Sequence, residues 1–112
     1  MVQGNERFEI RFEGLSTAKS GTSVENLREE LQRIPDISVS RKKDDATTQD
    51  FGATLVLVLG TPAVIAVASG IASFLKRHHA KLSIFADGRL VVEGVEGKDM
   101  ARIVEALTKP KK

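Results

Sequence analysis

His78 and His79 are the only histidines of the chain and the first side chains that could bind a metal or move a proton. Adjacent residues on a helix point about 100° apart, so this pair cannot easily hold one metal ion together. The chain contains no cysteine, which excludes a thiol nucleophile, a thiolate metal site and a disulfide. We therefore expect no metal and no cofactor, and we interpret the pair as the solvated end of a helix.

The acidic residues form no acid–base pair that the sequence can identify. Glu9 and Glu13 lie on the polar face of an alternating segment, while Asp44, Asp45 and Asp50 lie in a polar stretch without the spacing of a calcium loop. General acid–base catalysis needs a carboxylate in a cleft, and nothing in the pattern predicts one. The sequence also lacks the nucleophile-elbow, phosphate-loop and dinucleotide motifs, so we expect a protein that is not an enzyme.

Two basic clusters are the remaining candidates for a binding site. The first is residues 41–43, and the second combines Lys76 and Arg77 with Lys81. Such clusters can bind phosphates or the anionic headgroups of lipids. No aromatic residue is interleaved with either cluster, and 17 basic against 15 acidic residues leave a net charge of only +2. We therefore expect that nucleic acid is not the partner, whereas a membrane surface stays open as one.

The composition predicts one domain with an aliphatic core. The chain has 112 residues, of which 41% are hydrophobic and 29% charged, and it lacks tyrosine and tryptophan. This balance is typical of a folded protein with a single core. We expect one domain over residues 1–112 with a solvated tail from about residue 109. The first seven residues lack the pattern of a signal peptide, which favours a cytoplasmic location, with the inner membrane as the alternative.

The first half of the chain carries amphipathic strand and helix patterns. Phe8, Ile10 and Phe12 alternate with charged residues, which predicts a strand with its apolar side towards the core. Apolar residues at helical spacing follow after a polar stretch. The predicted segments are a strand over 8–13, a linker over 14–21, a helix over 24–34 capped by Ser23 and stopped by Pro35, a strand over 37–40 that runs into the basic residues 41–43, and a polar loop over 44–50.

Residues 51–75 form an uncharged segment. The segment is long enough for a transmembrane helix, but it also suits a buried part of the core. Gly60-Thr61-Pro62 interrupts the run and favours two packed elements, because glycine ends helices and proline fits a first helical turn. The first piece, 53–59, is compatible with a strand or a helix, and the second, 62–78, predicts a helix. Small residues four apart, such as Ala66 and Gly70, indicate close helix packing.

The Asp87-Gly88 pair between two alternating runs predicts a β-hairpin over 81–95, and a last helix is expected over 98–108. These elements predict an α+β fold, in which helices cover a four-stranded sheet in the order β-α-β-α-β-β-α. The alternative treats 53–59 as a strand. It gives a ferredoxin-like βαββαβ arrangement with an extra strand and helix.

The order and composition of these segments resemble the effector-associated constant component family of bacterial conflict systems. The resemblance rests on the N-terminal strand, the charged helix, the Gly/Ala-rich stretch 52–73, the run Phe74 to Arg77, the hairpin and the closing helix. The family often places an aromatic and basic residues at the end of the apolar helix, and Phe74, Lys76 and Arg77 match that feature. The resemblance implies a non-enzymatic adaptor that recruits, holds or licenses a variable effector, such as a peptidase, during defence.

The leading hypothesis from the sequence is therefore a protein–protein interaction module in a bacterial defence system, with a protein effector or a second copy of the chain as partner. The predicted interaction residues belong to the apolar segment and its basic end: Phe51, Ala66, Gly70, Phe74, Lys76 and Arg77. One alternative is a membrane-associated or pore-forming component that uses residues 51–75. A weaker one is an enzyme completed by its partner, with Arg41, Lys43, His78 and Glu93 as the residues to test.

Overall fold

The computed structural model describes residues 6–14, 17–41, 54–86 and 88–108, and for 17–21 and 41 it describes only the backbone. Within these ranges the chain forms five strands and three α-helices. In chain order they are β1 (Glu6–Glu13), α1 (Thr17–Leu31), β2 (Ser38–Arg41), β3 (Thr54–Leu59), a 3-10 turn (Thr61–Ala63), α2 (Val64–His78), β4 (Lys81–Ala86), β5 (Arg89–Val95) and α3 (Met100–Thr108).

The strands form one antiparallel sheet in the order β2-β3-β1-β4-β5, with β1 at the centre. Ile10 lies opposite Leu55 on one side and Ile84 on the other. The predicted α+β class is confirmed, and residues 54–59 form a strand. The sheet therefore has five strands instead of four, and β5 and α3 follow a ferredoxin-like βαββαβ unit.

The uncharged run is divided at the predicted break. Leu55, Leu57 and Leu59 alternate towards the core, which a strand between β1 and β2 requires. Gly60 is extended, with φ −106° and ψ 175°, and Pro62 lies in the first turn of the 3-10 segment that leads into α2. No helix within the described ranges has both the length and the apolar character needed to cross a membrane. Phe51 and its neighbours 52–53 lie outside the described residues.

Several predicted boundaries differ from the structure, most of all those of the first helix. Helix α1 begins at Thr17, so the predicted linker 14–21 is partly helical, and Ser23 lies within the helix and does not cap it. Ser20 and Gly21 have low helix propensity, but propensity is a weak guide where a buried apolar stripe stabilises the helix. Helix α1 ends at Leu31, where 34 was predicted, and hydrogen-bonded turns follow it up to Pro35. Helix α3 begins at Met100, where 98 was predicted. The hairpin is confirmed, with Ala86 paired to Arg89 and a positive φ at Gly88.

All three helices pack against one face of the sheet and enclose a single core. The inward side chains of β1 are fully or almost fully buried, and Phe12 contacts Phe74 of α2 with ring centroids 5.8 Å apart. Leu27 and Leu31 of α1 are buried in the same core. The opposite face of the sheet points away from the helices, because side chains alternate along each strand.

Candidate functional site

Phe74, the aromatic residue predicted for interaction, has no exposed surface in this fold. Its ring contacts Phe12 in the core and lies 4.2 Å from the ring of His78, measured between centroids. His78 is exposed and covers this edge of the core. In this folded state Phe74 therefore acts as a packing residue of α2 and offers no surface to a partner.

Two of the other predicted residues lie on the side of α2 that faces α1. A side-chain carbon built at Gly70 would lie 3.1 Å from Cδ2 of Leu31, which shows how closely the two helices approach. Arg77 donates from Nη2 to both carboxylate oxygens of Glu30, each at 2.6 Å. Gly70 and Arg77 therefore join the two helices.

Ala66 and Lys76 complete the predicted set within the described residues. Ala66 is exposed one turn before Gly70, and Lys76 is exposed where α2 meets the loop that precedes α3. Ala66, Gly70 and Arg77 thus recur along one side of α2, whereas Phe74 is buried and Lys76 lies on another side of the helix. Phe51, the sixth of them, lies outside the described residues.

A continuous surface exists instead on the side of the sheet that faces away from the helices, which we call the open face. It combines apolar and charged side chains from β1, β3, β4 and β5. Its partly or fully exposed members are Arg7, Glu9, Arg11, Glu13, Val56, Val58, Phe85 and Leu90, while Thr54 and Ser83 lie on the same side of the sheet but are buried.

The register places apolar residues in neighbouring positions across this face. Glu9 lies opposite Val56 of β3 on one side and Phe85 of β4 on the other. Phe85 in turn lies opposite Leu90 of β5, which is 48% exposed. Val56 and Phe85 are half-buried. Directly opposite positions on antiparallel strands lie about 5 Å apart, so these apolar groups flank Glu9 closely.

Charged groups of β1 are fixed between these apolar residues. The guanidinium of Arg11 lies 5.1 Å from the centre of the Phe85 ring, which is a cation–π contact. The Arg7 guanidinium lies 3.7 Å from the carboxylate of Glu9. Arginine and aromatic residues are enriched in protein–protein interfaces, where the ring provides apolar area and the guanidinium provides directed hydrogen bonds. The open face therefore has the chemistry to recognise another protein.

Glu13 anchors the edge of the open face. Its Oε2 accepts hydrogen bonds from the Ser83 hydroxyl and, at 3.0 Å, from the backbone N–H of Gly94. Gly94 has a φ of +67°, and the pairing of β4 with β5 shifts register at this point, so the carboxylate bridges β1 to a bulge in the edge strand. This contact fixes the position of β5, which carries Leu90.

The open face was not predicted from the sequence, because the outward positions of the strands were expected to carry only solvated side chains. Val56 and Val58 belong to an uncharged run and were predicted to be core, although they face outward in β3. The hairpin register was the available signal, since a two-residue turn at 87–88 places Phe85 near Leu90. An exposed leucine opposite an aromatic residue then marks the surface.

The described residues contain no group of three or more histidine, cysteine, aspartate or glutamate side chains that could hold a metal ion. Glu93 and His78, named for the enzyme alternative, are exposed on different elements, β5 and α2. The three aspartates of the predicted loop, Lys43 and the side chain of Arg41 lie outside the described part of the chain.

No protein-family model, no curated protein and no solved structure matches this chain.

Proposed function

We propose that this chain is a non-enzymatic interaction module of a bacterial conflict system, which recruits or regulates a partner effector through the open face of its sheet. The order of its segments resembles the effector-associated constant component family, and that resemblance supplies the biological setting. The open face supplies the means of recognition. The chain acts by binding, and the chemistry of defence belongs to the effector, for which a peptidase is one class.

The observation that carries this proposal is the grouping of Phe85, Leu90 and Val56 around Glu9 and Arg11. Residues of a sheet face that met only water would need no aromatic or exposed aliphatic side chain there. Leu90 is 48% exposed, and only one other large apolar side chain of the described residues, Ile65, is exposed to a comparable degree at 60%. Partly exposed apolar groups among fixed charges are typical of interfaces that bind and release their partner.

The charges of the open face make the recognition selective. Arg7 and Arg11 alternate with Glu9 and Glu13 along β1, so both signs are presented in a fixed order. A partner with the complementary order gains charge-assisted hydrogen bonds, while one with the wrong order brings like charges together. The same scaffold can therefore hold a defined effector strongly and exclude unrelated proteins.

The experiment compares two single substitutions of exposed aliphatic residues during co-purification with the effector encoded beside this chain. Leu90→Asp puts a charge into the open face, whereas Ile65→Asp puts the same charge on the outer side of α2. We expect Leu90→Asp to weaken the complex about tenfold or more, because the new carboxylate is desolvated without a partner. We expect Ile65→Asp to leave the affinity unchanged.

The two variants also separate the competing hypotheses. Loss of the complex with Ile65→Asp alone would move the interface to α2 and overturn the proposal. Equal affinity for both variants and the parent chain would exclude the open face as the binding surface. Release of dye from anionic vesicles by the chain alone, without any effector, would favour the membrane-active alternative in place of the adaptor.

A further inference from the structure

A second surface lies at the end of the molecule where α2 ends, β4 begins and the loop 96–99 leads into α3. Four basic side chains converge there around a groove of about 320 Å³. They are Lys76, His79, Lys81 and Lys98. Leu75 and Ala80, which are buried, form its floor. The groove lies at the opposite end of β4 and β5 from Leu90, so it is distinct from the apolar part of the open face.

The backbone around this basic groove is held in a defined conformation. His79 adopts the left-handed conformation, with φ 51° and ψ 45°, and the carbonyl of Leu75 accepts from the N–H groups of His79 and Ala80. A side-chain carbon at Gly97 would lie 2.7 to 2.8 Å from Cβ, Cα and N of Lys76. Only glycine permits this approach, so the loop that carries Lys98 is packed directly onto the end of α2.

The charges of the basic groove are only partly balanced by neighbouring carboxylates. Glu96, the one acidic residue among the described residues of its lining, lies 3.7 Å from Lys81. The carboxylate of Asp99 accepts a hydrogen bond from the backbone N–H of Glu96 at 2.9 Å and forms an ion pair with Arg102 at 4.0 Å. Lys76 and Lys98 form no ion pair with any of the described residues. Two ammonium groups of the groove therefore stay available to an anion.

We propose that the basic groove binds a ligand through a phosphate group that carries at least two negative charges. Ammonium groups and an imidazole N–H provide donors from several directions, which suits the oxygens of a phosphate better than a single planar carboxylate. The groove is larger than one phosphate ion, so it accommodates a diphosphate or a phosphorylated headgroup. Both sources share the same chemistry, a multiply charged phosphate, and the experiment below separates them.

The first arm titrates the full-length chain with inorganic pyrophosphate in low salt and follows binding by calorimetry. The variant Lys76→Gln/Lys98→Gln removes the two unpaired ammonium groups, and we expect its affinity to fall about tenfold or more. Arg89→Gln is the control for loss of a positive charge outside the groove, because Arg89 is exposed at the far end of β5, and its affinity should change less than about twofold.

Glu96→Gln adds a second test to the pyrophosphate titration, because it removes the carboxylate that pairs with Lys81 in the described lining of the groove. We expect pyrophosphate to bind this variant about threefold more tightly. Circular dichroism of each variant shows whether the fold is retained. The gain with Glu96→Gln also keeps the test valid if the double variant is unstable, since a loss of folding cannot produce a gain of affinity.

The second arm measures co-sedimentation with vesicles of phosphatidylcholine that contain phosphatidic acid, against vesicles of phosphatidylcholine alone. Binding to the first vesicles that is lost in Lys76→Gln/Lys98→Gln would assign the site to a lipid headgroup, while binding of pyrophosphate alone would assign it to a dissolved ligand. The proposal is overturned if neither probe binds, or if the double variant and Arg89→Gln lose the same affinity.

Discussion

The two faces of the sheet share the same strands but differ in what their residues contact. On the face covered by helices, Phe8, Ile10 and Phe12 are buried in one core with residues of α1 and α2. On the open face, Arg7, Glu9 and Arg11 of the same strand are fixed by contacts with one another and with Phe85. The comparison shows that one alternating strand contributes one set of its residues to the core and presents the other set on the open face.

The largest expected difference in the free energy of unfolding is between substitutions of two adjacent residues that lie on opposite faces of β1. Ile10→Ala removes a fully buried side chain and should lower the free energy of unfolding by about 3 kcal/mol, because the lost contacts leave a cavity. Arg11→Ala, one residue further along, should change it by less than about 1 kcal/mol, since it loses only an exposed cation–π contact. Urea unfolding of both variants measures the two values, and similar losses would break the distinction between the faces.

An intermediate loss in the free energy of unfolding is expected at Gly97, where the loop before α3 packs against α2 beside the basic groove. Gly97→Ala places a carbon against the backbone of Lys76 and should cost about 2 kcal/mol, because either α2 or the loop must move. Gly14→Ala is the control, since Gly14 has a positive φ of +74° but nothing within 4 Å of its new carbon. We expect the control to lose only about 1 kcal/mol from backbone strain. A smaller loss at Gly97 than at Gly14 would show that the close packing is absent in solution.

The smallest of these effects on stability tests whether the open face contains any structural contact. Glu13→Ala removes the acceptor shared by Ser83 and Gly94 and should lower the free energy of unfolding by about 1.5 kcal/mol. Glu13→Gln keeps one oxygen acceptor and should lose less. Thermal unfolding followed by circular dichroism measures both. Unchanged stability in Glu13→Ala would mean that the bulge at Gly94 is held without this carboxylate.

Local patterns were sufficient to predict most of the fold. The Asp87-Gly88 pair predicted the hairpin, and Gly60-Thr61-Pro62 predicted the break between β3 and α2. The nature of 54–59 stayed open because a short apolar run fits a strand or a helix equally well. The start of α1 at Thr17 was missed because Gly21 and its neighbours resemble a linker, whereas packing of Val24 and Leu27 stabilises the whole helix.

The candidate sites were harder to predict because they depend on contacts between distant residues. Lys76 and Lys81 were recognised as basic, but Lys98 joins them only through the close approach of Gly97 to α2. Phe74 was predicted to be an interaction residue because its place beside Lys76 and Arg77 matches the family resemblance, whereas the structure buries its side chain in the core. The pairing of Phe85 with Leu90 depends on the hairpin register. The hairpin was predicted from the sequence, but the exposed apolar pair that it creates was not.

Methyl NMR of the 112-residue chain, alone and with the proposed effector, tests the central claim most directly. Selective labelling of leucine, valine and isoleucine methyls reports on Leu90, Val56 and Val58 of the open face and on Ile65 of α2 in one spectrum. We predict that the effector shifts or broadens the signals of Leu90, Val56 and Val58 and leaves Ile65 unchanged. Perturbation of Ile65 with unchanged open-face signals would contradict the account.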